Sequence, residues 1–422
     1  MVGKNFKFNL FQRIKMKKIA IIGAGASGLI ASIMASKKST SVVVFEKNSK
    51  IGKKILATGN GRCNITNRDI DISNFYGLNP NFAKTALNQF GFKKCEEFFN
   101  AIGIEFKEGE RGRLYPMSLQ SSSVVDLLVY EAKRVGVEFR LSSEVKKISS
   151  RENGFLIKTE SKSEYFSKVL IASGGLASPS LGSSDSGYEF AKAYNHTIVE
   201  PFASLVQLIS NAPFLKRISG VKVNASVKVL IDKREIDSTS GDLLFTNYGL
   251  SGSAILDISR AVSLGLKQRK SIEIVLDLLP EFSKDRLLSL FQKRVKFAND
   301  KSVEFWLEGL VNKKLTPIIT KEASLRGNIK SAKELNRKDL LKIIYAIKSM
   351  RFNIIDTKGF KTAEVTAGGV DTEDINPQTM ESKLKRGLYF SGEVVDIDGD
   401  CGGYNLQWAW ASGFIAGREM SK

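Results

Sequence analysis

Three glycines carry the strongest chemical signal in the chain. Gly23, Gly25 and Gly28 stand in G-x-G-x-x-G spacing directly after the apolar run Ile19–Ile22. A short, wholly apolar run suits a buried parallel strand. In such a turn each glycine has a separate task. Gly23 permits the tight passage from strand to helix, Gly25 lets a pyrophosphate approach the backbone, and Gly28 lets helix and strand pack closely. The helix that follows is read over residues 27–38, with Ala26 just before it and Ser27 opening it, and its free N–H groups and positive dipole end suit phosphate. Val42–Phe45 read as a second buried strand. Glu46 stands at its end, placed to accept from a ribose 2′-OH, with Lys47 beside it. Strand, glycines, helix, strand and acid are in register over residues 19–47, which reads as a dinucleotide site rather than a glycine turn that binds nothing.

Further stretches bring backbone close to a ligand. In KILATGNGRCN, residues 54–64, Gly59, Asn60 and Gly61 lie between Lys54 and Arg62, with Cys63 and Asn64 following. This reads as a positively charged loop over the cofactor. Ser173-Gly174-Gly175 ends another apolar run, and EGERGRLYP, residues 108–116, is a charged turn that includes Arg113 and Tyr115. Near the end of the chain, Leu388–Ser391 read as a strand leading into Gly392-Glu393. Gly402, Gly403, Asn405 and Leu406 then start an apolar helix. In two-dinucleotide FAD enzymes such an element contacts the ribityl chain and aims helix N–H groups at the flavin pyrimidine edge, which favours the reduced anion. No second G-x-G-x-x-G occurs, so a nicotinamide cofactor is expected to dock transiently rather than to fill a domain of its own.

The elements that must position these residues follow from pattern and length. A chain of 422 residues exceeds one core and implies two or three domains. Residues 82–102 and 121–136 carry helical periodicity, residues 203–280 look β-rich, and residues 283–350 read as helical. The apolar content of 42% is ordinary for a soluble protein, and no run of about 18 apolar residues predicts a membrane span. Residues 1–15 are basic, lack a signal-peptide core and read as an extension before Met16. Cys63, Cys95 and Cys401 show neither metal nor disulfide spacing, which points to a reducing cytoplasm and no metal. The single histidine, His196, leaves little room for histidine chemistry and reads as structural.

Charge is the compositional outlier. The chain carries a net +20, and residues 203–360 hold 28 Lys and Arg against 16 Asp and Glu, a net +12. Two readings are open: a surface that binds polyanions such as nucleic acid, or a solvated lysine-rich surface with no partner.

Taken together, GAGASGL (23–29), KILATGNGRCN (54–64), LIASGGLASPSLGSSDSGY (170–188), DLLFTNYGLSG (242–252), VTAGGV (365–370) and GEVVDIDGDCGGYNLQWA (392–409) resemble the BaiN/RdsA-like flavoproteins, also described as the aminoacetone-oxidase-type FAD-binding family. The blocks span nearly the whole chain in the family's order. The resemblance implies an α/β, glutathione-reductase-like FAD-binding Rossmann fold with an inserted β-barrel-like and helical domain. Residues 1–195 would form the first part of the FAD-binding domain, 196–281 the β-rich insert, 282–354 the helical insert and 355–422 the return to the FAD-binding domain. Gly23, Gly25, Ser27, Gly28, Glu46, Lys47, Lys54, Gly61, Arg62, Asn64, Gly174, Glu393, Gly403, Asn405 and Leu406 fall on cofactor-facing motif positions, with Ala26, Gly59, Asn60, Ser173 and Gly392 among them. Ser253 departs from a usual proline and Ser173 from a usual threonine.

The resemblance implies FAD, with NAD(P)H as a transient hydride donor. It includes members that reduce a uridine of ribosomal RNA to dihydrouridine, and relatives that act on amines or steroids. Three functions are therefore carried forward: an rRNA uridine reductase that binds RNA through the basic insert, a small-molecule oxidase or dehydrogenase, and a non-enzymatic flavin-containing RNA-binding protein. Reduction of a uracil double bond needs an acid as well as a hydride. Cys63 is the first candidate, a thiol in the glycine-rich loop beside Arg62, and its alternative role is buried packing. Tyr115 and Arg113 compete with it as proton donor or substrate clamp.

Overall fold

The computed structural model of the chain describes residues 17–327 and 329–422; the extension expected over residues 1–15 lies outside them. Lys17–Ile22 is the middle strand of a five-stranded parallel sheet, with Thr40–Phe45 and Lys168–Ile171 on its two sides. Glu138–Arg140 and Leu388–Phe390 form the edges. The sheet is covered on both faces, which is why its strands are apolar runs rather than alternating ones.

The C-terminal helix Tyr404–Met420 lies directly against the first helix, Ala26–Ala35. The contact is backbone to backbone: a Cβ on Gly413 would stand 2.4 Å from the Ser27 carbonyl oxygen, and one on Gly417 would stand 2.3 Å from that of Ala31. Small residues at these two positions bring the N-terminus of the last helix to the glycine turn at the N-terminus of the first. Trp408 and Trp410 anchor the last helix in the core, and their indole N–H groups donate to the carbonyls of Gly392 and Ile65. The helical stretch at 82–102 is two helices, Phe82–Gln89 and Phe92–Ala101. His196 is buried, with Nδ1 3.1 Å from the Ala191 carbonyl and Nε2 2.7 Å from Ser382 Oγ, so both ring nitrogens are engaged in structure.

The chain leaves this domain along Ile198–Ser204 and returns along Val365–Val370, which pair antiparallel. Between them six strands close a barrel: Leu208–Ser210, Lys222–Ile231, Arg234–Phe245, Gly249–Ser251, Ile272–Asp277 and Met350–Thr357. Helices Lys284–Val295, Val303–Leu307, Thr316–Glu322 and Arg337–Lys348 are held between the fifth and sixth barrel strands and share a core with the barrel. Helix Ser253–Lys267 packs on the barrel and faces the nucleotide-binding domain. Its Arg260 pairs with Asp398 at 2.8 Å, and its Asp257 lies 3.6 Å from Arg111. No described helix is long and apolar enough to cross a membrane.

Candidate functional site

The glycine turn separates protein needs from ligand needs. A Cβ on Gly23 would stand 2.4 Å from the Ala172 carbonyl oxygen, and one on Gly28 would stand 2.0 Å from that of Gly23. Those two glycines are required by the fold itself. Gly25 differs: its backbone is ordinary, φ −84° and ψ −167°, and a Cβ there would meet no protein atom within 4 Å. Neither strain nor packing explains Gly25, whereas a phosphate drawn up to the helix N-terminus does. The same open space stands before Gly61 and Gly174. Backbone at these three turns is thus open to a ligand, and the glycine turn at Gly25 fits the pyrophosphate of FAD.

Glu46 is buried at the end of its strand. Its carboxylate accepts from the Ala24 N–H at 3.0 Å, the Asn48 N–H at 2.8 Å and the Asn48 side-chain amide at 2.7 Å. It therefore fixes the glycine turn, and a carboxylate with about four acceptor sites keeps capacity for a ribose hydroxyl. Lys47 donates to Ser184 at 2.9 Å. Ser27 lies in the helix contact and donates to the Ser391 carbonyl at 3.3 Å, while Ala26 starts the helix. Ser173 has a buried hydroxyl without a hydrogen-bond partner at the mouth of the Gly174 turn.

Opposite the glycine turn, Lys54 and Glu393 pair at 2.6 Å. The other Glu393 oxygen accepts from the Thr366 N–H at 2.9 Å, and the Thr366 hydroxyl accepts from the N–H groups of Leu176 and Ala177. Thr366 thus ties the Ser173–Gly175 turn to the strand–acid element at 392–393. Sequence reading did not find it, because a threonine in an apolar run carries no signal until three distant segments converge. Gly392 is buried, with its N–H given to Ser412 at 2.9 Å. Asn405 shapes the turn ahead of the last helix by bonding both backbone groups of Gly399, and Leu406 packs against the core.

In the loop at 58–64, Gly59, Asn60 and Gly61 all have positive φ, and Asn60, Gly61 and Arg62 are exposed. The Arg62 guanidinium lies 5.1 Å from the centre of the Tyr115 ring. Asn64 accepts from the Leu114 N–H at 3.2 Å. Arg113 and Tyr115, two apart on strand Arg113–Pro116, share one face while Leu114 and Pro116 are buried on the other. Arg113 reaches the N-terminus of the last helix, its Nη2 3.8 Å from Cys401 Sγ. Cys63, expected as a proton donor on this loop, is instead fully enclosed in the core. Its backbone turns the thiol inward at φ +60°, and burial pushes the thiol pKa up to about 12 against a bond from Thr58. Among the described residues no group of three or more metal-ligating side chains forms.

Asp257 was also missed by sequence reading. It is one polar position on an amphipathic helix, and only the fold brings it to Arg111. Burial raises its pKa to about 6, more than the Arg111 charge lowers it. Asp398, whose side chain is fully buried, is likewise raised to about 6 by burial, although Arg260 opposes this.

Comparisons with known proteins agree with this geometry. A family model described as the HI0933-like protein Rossmann domain matches residues 17–419. The chain is 39% identical over 410 residues to a 3-dehydro-bile acid delta(4,6)-reductase of Clostridium scindens, covering 96% of this chain and 100% of that protein. It is 34% identical over 403 residues to a ribosomal RNA dihydrouridine synthase of Escherichia coli, covering 95% of this chain and 97% of that protein. Among solved structures, a 3-ketosteroid delta1-dehydrogenase from Sterolibacterium denitrificans shares the fold, with a TM-score of 0.50 at 12% identity over 96% of this chain and 99% of that one.

Proposed function

The chain belongs to the HI0933-like family of FAD-dependent oxidoreductases, and from that premise we propose that it uses NAD(P)H to reduce a uridine of ribosomal RNA to dihydrouridine. The reaction class common to uracil and to a steroid enone is saturation of a carbon–carbon double bond conjugated to a carbonyl. Bound FAD would supply the hydride for it. The residues of this chain would bind, orient and protonate. The cradle at Gly25, Gly61 and Gly174 would take the cofactor's backbone and Glu46 its ribose. The N-terminus of helix Tyr404–Met420 would offer N–H groups to the pyrimidine edge. Arg113 and Tyr115, side by side on one strand face, would clamp the substrate carbonyl and base.

The observation that carries the RNA reading is the net +12 over residues 203–360, the stretch that holds the barrel and the helical segment. A uridine must leave its stack to reach a flavin, which costs a few kcal/mol, and contacts to flanking phosphates offset that cost. Lys313, Lys330, Arg337 and Lys338 are exposed on the helical segment. Reversing these four charges should weaken rRNA binding and lower the log–log salt slope by about 3, at 0.7–0.9 per phosphate contact, with the flavin spectrum unaltered. Unchanged RNA affinity in that variant would count against RNA as the substrate.

A second reading has its own support. The 39% identity is to a reductase of a steroid-like molecule, and a groove beside the site has an apolar side formed by Ile231, Ile236 and Leu264. On this reading a small cyclic enone enters that groove, and the lysines serve solubility.

A further inference from the structure

We infer that Asp257 is the catalytic acid of this site, delivering the proton to the substrate carbon from the head of a groove between the barrel domain and the nucleotide-binding domain. This rests on the double-bond reduction proposed above, and it holds for either substrate.

The groove encloses about 350 Å³, within the range of small-ligand sites. Its walls come from both domains: Tyr76 from the nucleotide-binding domain, and Asp257, Arg260 and Leu264 from the barrel helix. Asp257 stands at the end where the two domains meet. One carboxylate oxygen is 3.6 Å from the half-exposed Arg111 guanidinium, too long for a hydrogen bond. The other is buried and has no hydrogen-bond partner. A buried carboxyl oxygen without a partner is costly as an anion and far less so when it carries a proton. Arg113 also acts on Asp257 and reaches Cys401 at the N-terminus of the last helix. Asp257 is thus placed between the groove and the helix terminus expected beside the cofactor.

Four other groups that could give a proton are engaged or sealed away. His196 is buried elsewhere with both nitrogens engaged. Cys63 is sealed in the core, and Cys401 has its thiol pushed up to about 12 by burial. The Tyr76 hydroxyl donates to Asp400 at 2.8 Å and is held protonated by burial and that carboxylate. Asp257 titrates at about 6, close to the pH at which a general acid is most effective. The charged groups acting on it are Arg111, Arg113 and Asp400 from the nucleotide-binding domain and Asp237 from the barrel hairpin, with the neutral Cys401 thiol nearby. The two arginines lower its pKa, whereas burial, Asp400 and Asp237 raise it.

The step balances. The double bond gains a hydride from the reduced cofactor at one carbon and the Asp257 proton at the other. NAD(P)H is the net reductant, and the one proton the net reaction consumes comes from solvent and restores the Asp257 carboxyl.

The test separates the half-reactions in the FAD-loaded protein. Asp257→Asn should be reduced by NAD(P)H at the wild-type rate, which also reports that it is folded. Transfer to substrate, offered as an unmodified rRNA transcript or as a steroid 4-en-3-one, should fall about 10²–10⁴-fold. Wild-type transfer should decline as pH rises through about 6, as a required acid loses its proton, and the residual rate of Asp257→Asn should lack that limb. Asp257→Glu should recover part of the rate. In the cofactor-free protein, the infrared carboxylic-acid absorption titrating near 6 should be smaller by one carboxyl in Asp257→Asn than in wild type, the remainder belonging to Asp398. If wild type transfers electrons and Asp257→Asn does so equally well, or if that absorption is the same in the two proteins, Asp257 is not the acid. If reduced wild type transfers to neither substrate, the double-bond reading itself fails and takes this role with it.

Discussion

Gly25→Val gives a folded protein that purifies without FAD. The turn at Gly25 has an extended conformation open to any residue, and a Cβ there meets nothing within 4 Å, so a side chain can leave the backbone there without touching protein. It fills instead the space through which a pyrophosphate would reach the N–H groups of helix Ala26–Ala35. The cofactor-free forms of variant and wild type should therefore unfold at the same temperature, while only wild type gains stability from added FAD. That gain follows RT ln(1 + [L]/Kd), roughly 2.7 kcal/mol at a hundredfold excess over Kd. Full flavin occupancy in Gly25→Val would remove the cradle from the account.

Gly28→Ala, three residues on, should fail in the opposite way. A Cβ at Gly28 would stand 2.0 Å from the Gly23 carbonyl oxygen, and Gly23 cannot retreat because its own Cβ position is 2.4 Å from the Ala172 carbonyl oxygen. The sheet strand Lys168–Ile171, the turn and the first helix are locked in series, so the methyl must push apart the centre of the parallel sheet. Overpacking of this kind costs about 3 kcal/mol, the upper part of the usual range. The cofactor-free protein should lose that stability outright, measured as a lower denaturation midpoint with an unchanged m-value. A variant as stable as wild type would mean that helix and strand are not in backbone contact. The pair of variants thus separates a glycine kept for the ligand from one kept for the fold, although both lie in one short motif.

The motif-bearing parts were legible because local sequence dictates them. The run Ile19–Ile22, the glycines and the acid at 46 each answer to a short-range requirement, and a parallel sheet, a barrel and a helical segment are present, although the sixth barrel strand, Met350–Thr357, lies beyond the 196–281 stretch read as the β-rich insert. Other features depend on contacts that sequence does not display. Arg234–Ser240 is almost wholly polar and exposed, yet forms a strand arm because Lys222–Ile231 pairs along its length. Cys63 sits in the expected loop, but a single positive φ decides that its thiol faces the core rather than the cleft. Asp257 and Arg111 are far apart in sequence, and their meeting is a property of how two domains close on each other. Thr366 and the Lys54–Glu393 pair are of the same kind.

The most direct measurement is mass mapping of dihydrouridine in ribosomal RNA from a strain lacking this gene, with plasmids carrying wild type or Gly25→Val. One uridine in the deletion strain should lack the mass gain of two hydrogens. Wild type should restore it, and the cofactor-free Gly25→Val protein should not. An rRNA map identical with and without the gene would contradict the assignment of ribosomal RNA as the substrate.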